Sequence, residues 1–266
     1  MNRFGLDPNG FILSEVSQDK ILPQYRSIIA ESIAVLVAFL PDVVHSVYVY
    51  GSVARGNAVP KKSDLDLLIV FKQALLELER STLIGLQEDL SRQYKEVLRE
   101  IGIADSTCTY DEMLDPANKY SWGAYLKILC VCVYGDDLKK RFSEFKISPE
   151  VAIGFNGDIG NALQSAIRQT IEAKTDEEVS KAAARVARKI IRTCYTMVMT
   201  RAQVWTTILS GQAELFLCYF PEKREFIRIL QDWIDNPLAD RGNILGVLEG
   251  DCRWVVDNFE VEARRS

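Results

Sequence analysis

Apolar residues between Leu22 and Leu40 recur at helical spacing (Ile28, Ile29, Ile33, Val37, Leu40) until Pro41 stops the run, which predicts a helix. The next segment, VVHSVYVY, alternates and is rich in β-branched and aromatic side chains, the signature of a strand. DLDLLIVF predicts a second strand, and its near-continuous apolar tail predicts burial on both faces. LLELERSTLIGLQEDLSRQYKEVLREIG follows as one long amphipathic helix closing at Gly102, and IADSTCTYDEM as a short third strand. Helix, strand, strand, helix, strand is an α/β pattern. SWGAYLKILCVCVYGDDLKKRF then starts with helical spacing, turns strand-like at CVCVYG and passes into a short polar helix at Asp136.

After KISPE almost nothing strand-like remains. TDEEVSKAAARVARKIIRTCYTMVMTR opens with Thr175 and Glu178 at capping-box spacing and predicts one long helix. VWTTILSGQAELFLCYF, PEKREFIRILQDWIDN and NILGVLEGDCRWVVDNF predict three more. The change of character near Phe145 to Pro149 divides the chain into a first domain, residues 1–147, and an all-helical second domain, residues 148–266.

Composition narrows the class. Thirty-two basic against 37 acidic side chains leave a net charge of −5 with no basic arm, so a nucleic-acid partner is disfavoured. No apolar run reaches membrane-span length and the first twenty residues lack a signal core, which makes the cytoplasm the expected compartment, with no membrane partner. The six cysteines form no CxxC pair and sit among apolar neighbours, as reduced core thiols do. A single histidine, His45, excludes an HExxH zinc site, and neither a GxSxG elbow nor a Walker loop is present.

The chemistry concentrates in VYVYGSVARGNAVPKKSDLDLLIVF, Val47 to Phe71. Asp64 and Asp66 alternate onto the same strand face, roughly 7 Å apart along it. Two anions so close call for a cation, and Mg²⁺ takes hard oxygen ligands and completes its shell with water and phosphate. Gly51 lets backbone amides approach a phosphate, and Ser52 adds a hydroxyl. Arg55, Lys61 and Lys62 are charge partners or, for the lysines, equally a solvated loop. A phosphate cradle beside a metal clamp is equipment for phosphoryl or nucleotidyl transfer. A third carboxylate would complete it: Asp105 is favoured, as metal ligand and proton acceptor, over Asp111 and Glu112.

These residues carry a resemblance. GSVARGNAVPKKSDLDLLIV resembles the signature of the DNA polymerase β-like nucleotidyltransferases, with Gly51, Ser52, Gly56, Ser63, Asp64, Asp66, Leu67 and Val70 in the matching places and a loop one residue longer than in many members. The helical second half is similar to that of aminoglycoside nucleotidyltransferases. The resemblance implies an α+β catalytic domain with a mixed sheet, followed by a helical bundle that binds the acceptor. It implies a two-metal Mg²⁺ site on Asp64, Asp66 and Asp105, and an NTP, ATP foremost, held by Gly51 and Ser52; Arg55, Lys62 and Ser63 are the further candidates for holding that nucleotide. A nucleoside monophosphate would pass to a hydroxyl of a small molecule. RNA or a protein as acceptor, and a non-catalytic nucleotide binder, are the alternatives. Arg185, Arg188 and Arg192 share one helix face, as a solvated stripe or as triphosphate ligands. Trp122, Trp205 and Trp233 read first as core residues.

Overall fold

The first two strands expected from the sequence form the centre of a sheet. β1 (Val44–Tyr50) and β2 (Leu65–Phe71) pair antiparallel, from Val44 opposite Phe71 to Tyr50 opposite Asp66. On its other edge β2 takes two short strands in parallel: β3 (Ile101–Gly102) beside Leu65 and Asp66, and β4 (Thr107–Thr109) beside Ile69 to Phe71. β5 (Val131–Gly135) lies antiparallel on the free side of β1, so the sheet is mixed. The computed structural model describes residues 4–103, 107–236 and 239–265.

Side-chain alternation gives this sheet two cores. Val47, Val49, Leu65, Leu67, Ile69 and Phe71 point to one face, where Ile28, Ile29 and Leu36 of α1 (Pro23–Phe39) join Leu83 and Leu90 of a later helix. Tyr48, Leu68 and Val70 point to the other, against Cys108, Met113 and Leu126. Between β1 and β2 runs α2 (Gly51–Arg55), a five-residue helix ended by Gly56 in the left-handed conformation, φ 76°. Because every one of these strand residues from Val47 to Val70 is essentially inaccessible, burial on both faces holds for the centre of the sheet.

The helix after β2 is shorter than its sequence pattern. α3 (Glu77–Gln93) ends at Tyr94, and Gly102 is a strand residue, not a helix cap. The apolar residues that continued the helical pattern, Leu98, Ile101 and Ile103, are instead buried with the sheet. The stretch expected as a third strand supplies β4 and then turns at once into α4 (Tyr110–Leu114). Thr109 and Glu112 form a capping box there, with the Thr109 amide donating to the Glu112 carboxylate at 2.8 Å. A π-helical turn over Lys119–Gly123 leads into α5 (Ala124–Leu129).

His45 sits in β1 with its Nδ1 3.0 Å from the Ser46 hydroxyl and its ring 4.9 Å from that of Tyr110. Partial burial lowers its pKa below the ordinary value; nearby Asp136 opposes the shift and Lys72 reinforces it. A base with a depressed native pKa leaves stability intact above its unfolded value, about 6.5, and withdraws it as pH falls through the native value. Urea midpoints should therefore drop from pH 7.5 to pH 5.5, and by less in His45→Gln. An equal drop in both proteins would remove His45 from the account.

The chain divides into two compact units, Leu13–Phe145 around the sheet and a second made of residues up to Ile12 together with Lys146 onward. The sequence boundary kept the first twelve residues with the sheet domain. Residues 4–12 pair elsewhere because Phe11 bridges to Lys146 and the Trp205 amide donates to the Phe4 carbonyl at 3.0 Å.

The second unit is helical: α6 (Pro149–Asn156), α7 (Ile159–Glu172), α8 (Asp176–Ala202), α9 (Leu209–Tyr219), α10 (Arg224–Asp235), α11 (Arg241–Glu249) and α12 (Asp251–Ala263). α8 is the central one, packing against α6, α7, α9, α10 and α12, and its Ala182, Ala183, Ala184 and Ala187 let neighbours approach closely. Its start is the predicted one, Thr175 Oγ1 accepting from the Glu178 amide at 3.2 Å. α6 and α7 lie outside the helices predicted from the sequence, and one predicted helix covers both α11 and α12, which Gly250 separates. Trp205 and Trp233 are core residues. Arg185 and Arg192 are exposed, while Arg188 donates to the Ala184 carbonyl at 3.1 Å. Cys108, Cys130, Cys194 and Cys252 are buried thiols as expected, but Cys218 is exposed. No described helix is long and apolar enough to cross a membrane.

Candidate active site

Asp66 is the second residue of β2, after Leu65, directly across from Tyr50, the last residue of β1. Its even-numbered position puts it on the face of Tyr48, Leu68 and Val70, at the rim of the second core. Asp64, two residues earlier, is likewise partly exposed while Leu65 between them is fully buried. Alternation therefore delivers two carboxylates to one rim. Tyr50 packs edge-on against Tyr125 of α5 there, ring centroids 5.4 Å apart at 71°.

Gly51 follows Tyr50 in the left-handed region, φ 73°, and opens α2. A Cβ at Gly51 would overlap Asp66 Oδ2, so the carboxylate lies directly over the glycine's bare Cα. Only glycine satisfies both the backbone angle and this approach. At five residues α2 is too short to add much of a macrodipole; what it offers are the first-turn amides of Gly51, Ser52 and Val53, which have no partner within a helix. Arg55 closes α2, half-buried.

The loop back to β2 is held by its own backbone. Ser63 Oγ accepts from the Val59 amide at 2.9 Å, and the Ser63 amide donates to the Val59 carbonyl at 2.9 Å. Lys61 takes a positive φ of 63°, donates its amide to Val97 and pairs with Glu96 at 2.6 Å. The structure thus gives Ser63 and Lys61 anchoring contacts, and leaves the Lys62 side chain exposed.

Asp64 has a partner that the sequence did not reveal. Arg99 Nε donates to Asp64 Oδ1 at 2.8 Å and Nη2 donates to Oδ2, a bidentate pair. The bond to Asp64 raises the Arg99 pKa above its ordinary value. Strand pairing brings the two together: the Arg99 amide donates to the Ser63 carbonyl at 3.0 Å and the Leu65 amide to the Glu100 carbonyl at 3.0 Å. Continuing the β2–β3 register by one residue sets Glu100 across from Asp64, as Gly102 is across from Asp66. Glu100 is an acid that the sequence pattern hid inside an expected helix.

Asp105 lies outside the described residues. Its rival Glu112 belongs to the other end of β2, where Thr109 pairs with Phe71 and a cavity of about 160 Å³ is lined by Phe71, Arg80, Cys108 and Glu112. Five strand residues, roughly 16 Å, separate that end from Asp66. Among the described residues no three acidic, histidine or cysteine side chains gather into a metal cage. The donor set still fits Mg²⁺: two hard carboxylates share a rim, and Asp64 already draws a cation, the Arg99 guanidinium.

The family model for a nucleotidyltransferase domain matches residues 31–119, a span that holds β1, α2, β2 and both carboxylates. This stretch is a nucleotidyltransferase domain. It is the domain of a transferase. The crystal structure of spectinomycin adenyltransferase AAD(9) from Enterococcus faecialis with ATP and spectinomycin superposes with a TM-score of 0.50 at 13% identity, over 84% of this chain and 98% of that one. At that identity the likeness establishes the fold, a nucleotidyltransferase domain with a mixed sheet and a largely helical C-terminal region. No curated protein matches the chain.

Proposed function

We propose that the nucleotidyltransferase domain moves a nucleoside monophosphate from an NTP, ATP foremost, to a hydroxyl of a small-molecule acceptor, releasing pyrophosphate. The observation that carries this reading is the placement of the Asp66 carboxylate over Gly51 at the head of α2, with Asp64 on the same rim. Asp64 and Asp66 would hold Mg²⁺, with Asp105 as the third acid of a two-metal site, and Glu100 lies across from Asp64 in the continued β2–β3 register. When bound, Mg²⁺ supplies charge neutralisation on the phosphate oxygens. The first-turn amides of α2 and the Ser52 hydroxyl would orient the triphosphate, with Arg55 and Lys62 as further positive charge.

ATP and a small acceptor are supported by the fold neighbour, which was crystallised with ATP and spectinomycin. The helical residues 148–266 would recognise the acceptor. Pyrophosphate release from ATP, GTP, CTP and UTP with Mg²⁺ should be measured over a panel of hydroxylated amines and cyclitols, with an RNA oligonucleotide alongside. Release that depends on ATP and on one small molecule is expected. Modification of the RNA alone would reassign the acceptor, and no release under any pairing would defeat the reading.

A further inference from the structure

Arg99 lies outside the matched motif, yet it holds one of the motif's two carboxylates by both oxygens. The pair is not a passing surface contact, because main-chain bonds from Arg99 to Ser63 and from Leu65 to Glu100 set the two residues side by side. Asp64 keeps 23% of its side-chain surface exposed and Arg99 51%, so the pair lies within reach of solvent and the more exposed arginine is free to swing away. Mg²⁺ demands near-ideal octahedral geometry, with oxygens at about 2.0–2.1 Å. A carboxylate whose two oxygens both accept from a planar guanidinium has one lone pair on each oxygen committed, and the guanidinium's positive charge opposes a divalent cation at the pairs that are left. Cation and arginine therefore compete for Asp64.

We propose that Arg99 is a latch on the metal site: in the nucleotide-free protein it occupies Asp64, and a divalent cation gains that carboxylate only when the ion pair opens. The inference rests on the proposed role of Asp64 and Asp66 as metal ligands. A triphosphate is the natural key, because its oxygens offer the guanidinium the same bidentate geometry as the carboxylate. Arg99 is then a positioning residue that ties metal loading to the arrival of the nucleotide. A binding-competent state populated only in part weakens apparent affinity by that fraction.

The test is Mn²⁺ binding to the full chain without nucleotide, followed by the electron paramagnetic resonance of free Mn²⁺. Arg99→Ala should bind about tenfold tighter than the wild type, as expected if the open state is about a tenth of the population. Arg99→Lys, which keeps the charge and loses the fork, should fall between them. The gain should vanish when Asp64→Asn is added, and Lys61→Ala, which removes a charge that touches Glu96 instead, should stay within about twofold of the wild type. Thermal unfolding of each variant verifies that it is folded. Equal, measurable affinity in wild type and Arg99→Ala refutes the latch and leaves the metal site standing. The same refutation follows if the gain survives Asp64→Asn or is matched by Lys61→Ala. Absence of Mn²⁺ binding in both wild type and Arg99→Ala refutes the latch together with the metal role of the two aspartates.

Discussion

Asp66→Asn should fold like the wild type and lose nucleotidyl transfer by at least about 10²–10³-fold, the range seen when a single preorganised electrostatic group is removed from a transition state. The substitution keeps the side chain's shape, so it still lies over Gly51 and across from Tyr50. What it removes is the charge that would draw a divalent cation against the phosphate. Burial does not depend on that charge, since Asp66 is only partly covered while its neighbours Leu65 and Leu67 are fully buried. Steady-state rates on the acceptor found by the screen, with unfolding midpoints as the control, decide the matter. Full turnover in a folded Asp66→Asn protein would show that the acidic rim is not a metal clamp.

Gly51→Ala should damage the site in two ways at once. Its φ of 73° is a left-handed conformation that costs an L-residue about 1–2 kcal/mol, so the unfolding free energy should fall by that amount. The new Cβ would also overlap Asp66 Oδ2, and the side chain that must yield is the carboxylate itself. Activity should thus drop far more than stability, approaching the loss in Asp66→Asn. Gly102→Ala is the natural comparison: its Cβ would meet Asp66 Oδ1 at 3.9 Å, an ordinary contact, and near wild-type rates are expected. Were Gly51→Ala as active as Gly102→Ala, the close approach of Asp66 to the head of α2 would have no functional weight.

Much of this arrangement is readable from the chain because it is local. β1 declares itself by alternation and β2 by its near-continuous apolar run, and Gly51, Ser52, Asp64 and Asp66 lie on them or in the loop between, within sixteen residues of each other. What depends on pairing between distant segments is not readable. Leu98, Ile101 and Ile103 continue the amphipathic spacing of α3 so smoothly that a helix to Gly102 is the natural expectation, yet their burial is in the sheet. With that error Arg99 and Glu100 fall on an imagined helix and their meeting with Asp64 disappears. The parallel register of β3 on β2 restores both. The same holds at the chain's start, where Phe4 and Phe11 are tied to Trp205 and Lys146, far along the sequence. In the helical unit the strong cap at Thr175 is visible, whereas the break at Gly250 is masked because apolar positions such as Leu248, Cys252 and Val255 continue at helical spacing across it.

The most direct test of the central claim is calorimetric titration of the full chain with ATP, GTP, CTP and UTP, each in Mg²⁺ and again in EDTA. Saturable binding of one NTP, ATP foremost, that EDTA abolishes is the predicted result. Failure of all four to bind a folded protein in Mg²⁺ would contradict it.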